Sequence, residues 1–203
     1  MRVEGTTVYF DQPGHENTAE TLRVARARAE QGGIRDIVVA SSTGATGIKA
    51  CELFPGYNVV VVAGAVGYPD PNARRMPPAH RATLEAHGAT VCFAWHAFGR
   101  LGRAVHRTFG AMQLDEVIAH ALRVVGAGVK VACEVVCMAT DAGLIRAGQD
   151  VITRWIVGPH PGAPPILFGG VHFPVYQTHL PQPWACLSPP YRARSGSWAD
   201  NRS

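Results

Sequence analysis

The sequence predicts an α/β protein, with helices on both faces of a mainly parallel sheet in three αβα layers. Three observations carry this. Short β-branched runs recur at Asp36-Ile37-Val38-Val39-Ala40, Asn58-Val59-Val60-Val61-Val62 and Ala89-Thr90-Val91-Cys92-Phe93-Ala94-Trp95. They are as apolar as interior parallel strands need to be. Segments with helical spacing lie between them, and turns rich in Gly, Pro, Ser and Thr punctuate the joins. Strands alternating with helices read as one parallel sheet.

Taken in order, Thr6-Thr7-Val8-Tyr9-Phe10 reads as a first strand, ended by Asp11-Gln12-Pro13-Gly14. Asn17-Thr18-Ala19-Glu20 has the spacing of a capping box. The helix behind it runs through Leu22, Val24, Ala25 and Ala29 to Gly32-Gly33. The strand at 36–40 follows, then the turn Ser41-Ser42-Thr43-Gly44-Ala45-Thr46-Gly47, then a helix over 48–54 stopped by Pro55-Gly56. The strand at 58–62 leads into Gly64-Ala65-Val66-Gly67 and a loop through Pro69 and Pro71. Pro77-Pro78 suits the first turn of a helix over 78–87. The strand at 89–95 leaves His96 at its carboxyl end. Residues 97–112 are basic and glycine-rich and read as a loop with a short helix. Asp115 and Glu116 open a helix that Gly126-Ala127-Gly128 interrupts. Residues 129–142 are open between helix and strand; the i, i+4 pair Lys130 and Glu134 and the Asp141-Ala142-Gly143 ending favour helix. A fifth strand begins at Asp150-Val151-Ile152.

The turn at 41–47 is the organising feature. It joins a strand's carboxyl end to a helix's amino end, where backbone N–H groups point outward with roughly half a positive charge of helix dipole behind them. Ser and Thr hydroxyls add donors. This is the physics of a phosphate cradle, and it is equally that of an ordinary strand-to-helix turn with a Ser/Thr cap. His96 sits where open α/β sheets bind ligands, outside the carboxyl ends of the strands. Glu134 and Asp141 fall in apolar sequence, so each must be paired or stand at a site edge. No Gly-x-Ser-x-Gly elbow surrounds Ser41 or Ser42, which sets hydrolase chemistry aside.

Composition bounds the rest. The chain has 203 residues, 47% of them hydrophobic, and no apolar run approaches a membrane span. Its opening residues carry no signal-peptide pattern, so the chain reads as cytoplasmic. Five cysteines, Cys51, Cys92, Cys133, Cys137 and Cys186, make neither a disulfide framework nor a zinc clip, and no metal is expected. The net charge is +4. Residues 1–150 hold 15 Lys and Arg against 14 Asp and Glu, so the excess belongs to the last 53 residues, with four Arg against one Asp. That distribution, without an aromatic-interleaved basic patch, argues against nucleic acid as partner.

Several blocks in fixed order resemble the stand-alone proteins that share the fold of the pyruvate kinase C-terminal α/β domain. They are Val8-Tyr9-Phe10 with Pro13-Gly14 and Glu16-Asn17-Thr18; Val38-Val39-Ala40-Ser41-Ser42 with Gly44, Thr46 and Lys49; Val59 to Val62; Met76-Pro77-Pro78; His96 with Arg103 and Phe109-Gly110; and Lys130-Val131 with Glu134, Met138, Ala139, Asp141, Ala142 and Gly143. The resemblance spans about residues 6–152 and implies an FMN binder, with FMN as cofactor. In pyruvate kinase the comparable turn holds the phosphates of a sugar bisphosphate. Carried over residue by residue, Ser41, Ser42, Thr43, Gly44 and Thr46 would hold phosphate. Asn17, Gly67, Met76, His96, Arg103, Glu134, Met138 and Asp141 would line the pocket. The resemblance does not reach the kinase's catalytic barrel, so kinase activity is not implied. It leaves two readings open: an FMN protein with a redox role, or a non-catalytic module for a phosphorylated metabolite.

After Ile152 the family pattern stops, which divides the chain into an α/β domain over 1–152 and a tail over 153–203. Nine of 15 prolines and three of four tryptophans lie in the tail, which has no Lys and no Glu. Such composition suits extended or disordered chain, with one edge strand expected at 171–176. An extension particular to this chain and a shift of reading frame near codon 153 both produce such a break. The abruptness favours the second, and the nucleotide sequence decides. A family strand lost in this way would leave an open sheet edge, favouring pairing with a second copy.

Overall fold

The computed structural model describes Val8, Phe10 and residues 17–67 and 70–154. Ten elements follow in chain order: α1 (Thr18–Gly32), β1 (Asp36–Ala40), α2 (Ala45–Leu53), β2 (Asn58–Ala63), α3 (Pro78–Ala86), β3 (Thr90–Phe93), α4 (Leu101–Phe109), α5 (Leu114–Val125), α6 (Ala127–Asp141) and β4 (Val151–Arg154). The strands form one sheet in the order β3-β2-β1-β4, and every pairing is parallel. Ile37 pairs with Val59 on one side and with Ile152 on the other.

The period of two along each strand divides the core. Ile37, Val39, Val59, Val61 and Ile152 face one cluster, which Leu22 and Ala29 of α1, Ala50 and Cys51 of α2, Phe54, Met76 and Leu84 of α3 complete. Val38, Val60, Val62, Cys92 and Val151 face the other, closed by Val135, Val136, Met138 and Ala139 of α6 with Ile145. The sheet is therefore covered on both faces, as parallel sheets require. Each fully buried Val or Leu contributes about 1.5–3 kcal/mol of transfer free energy. Outside α6 lies α5, with α4 against α5. These two helices leave Leu101, Phe109, Leu114, Val117, Val124 and Val125 exposed.

Several expectations change on contact with the structure. The capping box at Asn17 does not form: the Asn17 side chain makes no cap bond, and Glu20 pairs with Arg23 at 2.5 Å. That reciprocal device appears instead at α5, where Glu116 Oε2 accepts the Gln113 N–H at 3.3 Å. The segment expected at 129–142 is helical as far as Asp141, in α6, and 97–112 yields α4. β3 ends at Phe93, two residues short of the expected strand, because Trp95 turns out to solvent at 60% exposure. β4 carries the sheet two residues past the expected domain boundary, with Thr153 and Arg154 paired to Val38 and Val39. The expected strand at 6–10 falls largely outside the described residues; Val8 and Phe10, which are described, lie in no strand. The turn at 11–14, the edge strand at 171–176 and the rest of the tail beyond Arg154 are also outside the described residues.

Candidate functional site

The carboxyl edge of the sheet gathers the chemistry. At the end of β1 the ladder runs on one residue, the Ser41 N–H donating to the Val62 carbonyl at 3.0 Å. Ser41 is buried, and its Oγ accepts the Gly47 N–H of α2 at 3.3 Å. It braces the turn from inside and is not an exposed phosphate donor. Ser42 and Thr43 stand exposed above it. The first-turn N–H groups of Ala45 and Thr46 have no intrahelical acceptor. Gly44 precedes the helix at φ 86°, and a side chain there would meet His80 Cβ at 3.0 Å and Met76 Cγ at 3.4 Å. Its lack of a side chain thus serves packing against α3 rather than the close approach of a ligand. The His80 ring locks the turn from the same side: its Nδ1 lies 2.7 Å from the Thr43 carbonyl. Because a carbonyl only accepts, this bond places the proton on Nδ1.

This turn sits where the strand order reverses: β2 and β3 lie to one side of β1 and β4 to the other. Ligands of open α/β sheets bind at that switch point.

Further along the edge, β2 ends in the loop of Val66 and Gly67, where the Gly67 N–H donates to the Ala73 carbonyl at 2.8 Å. β3 is followed by Trp95 and His96. The Arg100 guanidinium lies over the Trp95 ring at 5.5 Å. His96, half exposed, reaches Glu134 Oε2 through Nδ1 at 3.0 Å. Glu134 stands at the middle of α6 and is 1% exposed. It accepts two further bonds on Oε1, from Lys130 Nζ at 2.5 Å and the Phe98 N–H at 2.9 Å. Burial alone would raise this carboxyl. The hydrogen bonds and charges of His96 and Lys130 outweigh it and hold Glu134 below the usual carboxylate range. For Lys130, burial is the largest influence and lowers the ammonium pKa. The Glu134 bond opposes that, the charges of Arg123 and Arg103 add to it, and the net direction is down. A buried carboxylate thus ties α6 to the loop after β3, with its remaining donor, His96, open to solvent.

The remaining sequence-predicted residues divide. Asn17 starts α1, which runs back to the amino edge where β1 begins, so Asn17 shares the carboxyl edge with the turn. Thr46 is half-buried in the first turn of α2. Met76 is buried beneath Gly44 and offers no surface to a ligand. Met138 lies in the core between α6 and the sheet. Asp141 ends α6 on the far side, about 16 Å along the helix from Lys130 at 1.5 Å per residue. The structure does not bring Met138 or Asp141 to the site. Arg103 lies on α4, beside a pocket of about 350 Å³ lined by Phe98, Arg103, Glu116, Ala119, His120 and Arg123.

Sequence reasoning left Trp95, Lys130 and Arg123 out of the site. Lys130 had a signal, its i, i+4 spacing to Glu134. Trp95 was hidden inside an apolar run. Among the described residues no group of three or more His, Cys, Asp or Glu gathers to hold a metal ion, and no helix is long and apolar enough to cross a membrane.

No family model matches the chain. Among solved structures it is similar to cysteine synthase from Entamoeba histolytica, at 14% identity and a TM-score of 0.28, over 79% of this chain and 55% of that one. The chain thus spans about half the length of that enzyme, and a likeness at this level carries no argument about function.

Proposed function

We propose that this chain binds a phosphorylated ligand at the carboxyl edge of its sheet, and that the ligand is FMN. One observation carries the reading. The first turn of α2 opens at the end of β1, where the strand order reverses, with Ser42 and Thr43 exposed above it. Unpartnered N–H groups, hydroxyls and the helix dipole suit a phosphate. The exposed faces of Trp95 and Val66, at the ends of β3 and β2, supply apolar surface on the same edge for a flavin ring. The resemblance of residues 6–152 to the pyruvate kinase C-terminal-like proteins supports the same ligand. Ser42, Thr43 and Thr46 would hold the phosphate, with Ser41 and Gly44 shaping the turn behind them. Bound FMN supplies hydride or one-electron chemistry. The protein's own contribution is to bind, orient and shield.

Thr43→Glu tests this. Thr43 is exposed, so the substitution leaves the core alone while placing a carboxylate among the phosphate donors. The affinity for FMN should fall by about tenfold or more. Riboflavin, which lacks the phosphate, should lose little. Unchanged FMN affinity would place the site elsewhere. A protein that ignores FMN yet binds other phosphate esters in a Thr43-dependent way would be a metabolite-binding module without redox chemistry.

A further inference from the structure

The pocket beside α4 and α5 is separate from the α2 cradle: α2 packs on one face of the sheet, whereas α5 packs on α6, which covers the other. Glu116, Ala119, His120 and Arg123 follow one another on a single face of α5 at helical spacing. Arg103 of α4 and Phe98 complete the wall. Its volume, about 350 Å³, falls in the range of small-ligand sites.

Two guanidiniums, Arg103 and Arg123, line it together with one carboxylate, Glu116. Elsewhere Arg23, Arg26 and Arg81 each pair with a glutamate on their own helix. Among the described residues Arg103 and Arg123 have no ion-pair or hydrogen-bond partner. Of the carboxylates nearby, Asp115 lies against Gly102 of α4, and the other two are already engaged. Glu134 takes Lys130, His96 and the Phe98 N–H. Glu116 accepts on Oε2 from His106 Nδ1 at 3.0 Å and from the Gln113 N–H at 3.3 Å. Two guanidiniums without an ion-pair partner among the described residues and an imidazole therefore share one concave wall, with Ala119 and the Glu116 carboxylate buried beneath them.

We propose that this pocket binds a small oxyanion, a phosphate or a carboxylate, clamped between the guanidiniums of Arg103 and Arg123 with His120 as a further donor. A guanidinium presents parallel N–H donors that match either group. Phe98 offers an apolar wall to the ligand's carbon skeleton. The inference stands apart from the FMN reading and uses none of the α2 donors.

The test is a titration of the full chain, at constant ionic strength because surface charge is screened by salt. Inorganic phosphate is one arm and succinate the other, each followed by NMR. The proposal expects saturable shifts with at least one anion, and the stronger arm identifies the class. It expects Arg103→Gln and Arg123→Gln each to weaken binding by about tenfold. No saturable shift with either anion overturns it, as do affinities unchanged in both variants. Phosphate binding that survives both substitutions and disappears in Thr43→Glu belongs to the α2 cradle. That outcome overturns this proposal while supporting the preceding one. Should a variant fail to fold, the unaltered chain decides. The Nε–H signals of Arg103 and Arg123 must move together with the His120 ring signals, and their staying fixed overturns the proposal.

Discussion

Removing the charge of Glu134 should be among the most damaging conservative substitutions in this chain. Glu134→Gln keeps the shape and an oxygen for the Phe98 N–H. It leaves the Lys130 ammonium, whose side chain is 8% exposed, without a counter-charge. Breaking a buried ion pair from one side costs about 3–5 kcal/mol. A second route bounds the same quantity, because Lys130 can lose its proton instead. From an ordinary amine pKa near 10.4 down to pH 7, at about 1.4 kcal/mol per unit, that costs about 4.6 kcal/mol. His96 is half exposed, so water replaces its lost partner at little cost. The expected loss is about 3–4 kcal/mol. At about 2–4 °C per kcal/mol, the midpoint of thermal unfolding should fall by roughly 6–16 °C. Circular dichroism melts and urea titrations of both proteins measure it.

Two companion results follow from the same physics. The deficit should shrink as pH rises, since Lys130 sheds its proton more readily without a carboxylate. The double substitution Lys130→Met with Glu134→Leu should return to within about 1 kcal/mol of the parent, because apolar replacement of a buried pair is often near neutral. In the parent, Glu134 titrates below its ordinary value. Its contribution is therefore complete above about pH 4.3 and is lost as pH falls through the lower folded-state value. The variant lacks that acid limb. A loss below about 1 kcal/mol in Glu134→Gln, well under the range for a broken buried pair, would refute the buried cluster.

Gly47→Val should cost about 1–3 kcal/mol by overpacking: a Cβ at that position already lies 2.9 Å from Val61 Cγ2 and 3.1 Å from Leu84 Cδ2. An unchanged urea midpoint would mean that α2 does not lie this close to β2. The thiols of Cys51, Cys92, Cys133 and Cys137 are pushed up by burial, Cys137 to about 12. All four should react slowly with a disulfide reagent near pH 8 in the native protein and promptly once it is denatured. Rapid native labelling of Cys137, located by mass spectrometry, would contradict its burial on α6.

How far the sequence foretold this structure depends on how local each feature is. β1 and β2 were legible because Ile37 to Val39 and Val59 to Val62 are unbroken apolar runs bounded by turns. α2 and α3 were legible through Gly44, Pro55-Gly56 and Pro77-Pro78, whose backbone preferences act within a few residues. Position in space was harder to read. Met138 and Glu134 are four residues apart on one helix, yet Glu134 meets the carboxyl edge and Met138 the core. Only the way α6 lies on the sheet separates them. Trp95 extends a strand in sequence and leaves it in space. The meeting of Arg103 with Arg123 depends on how α4 packs against α5, which no local pattern encodes. The turn at 41–47 was legible as a join between strand and helix. The structure adds that Ser41 and Gly44 serve the turn's own packing, while Ser42 and Thr43 stand exposed.

The most direct test of the proposed function is the visible absorption spectrum of the freshly purified full chain, before and after denaturation, followed by an FMN titration if no colour is present. The account predicts flavin bands that shift on release into free FMN, or saturable uptake of added FMN that Thr43→Glu weakens. A colourless protein that leaves the spectrum of added FMN unchanged would contradict it.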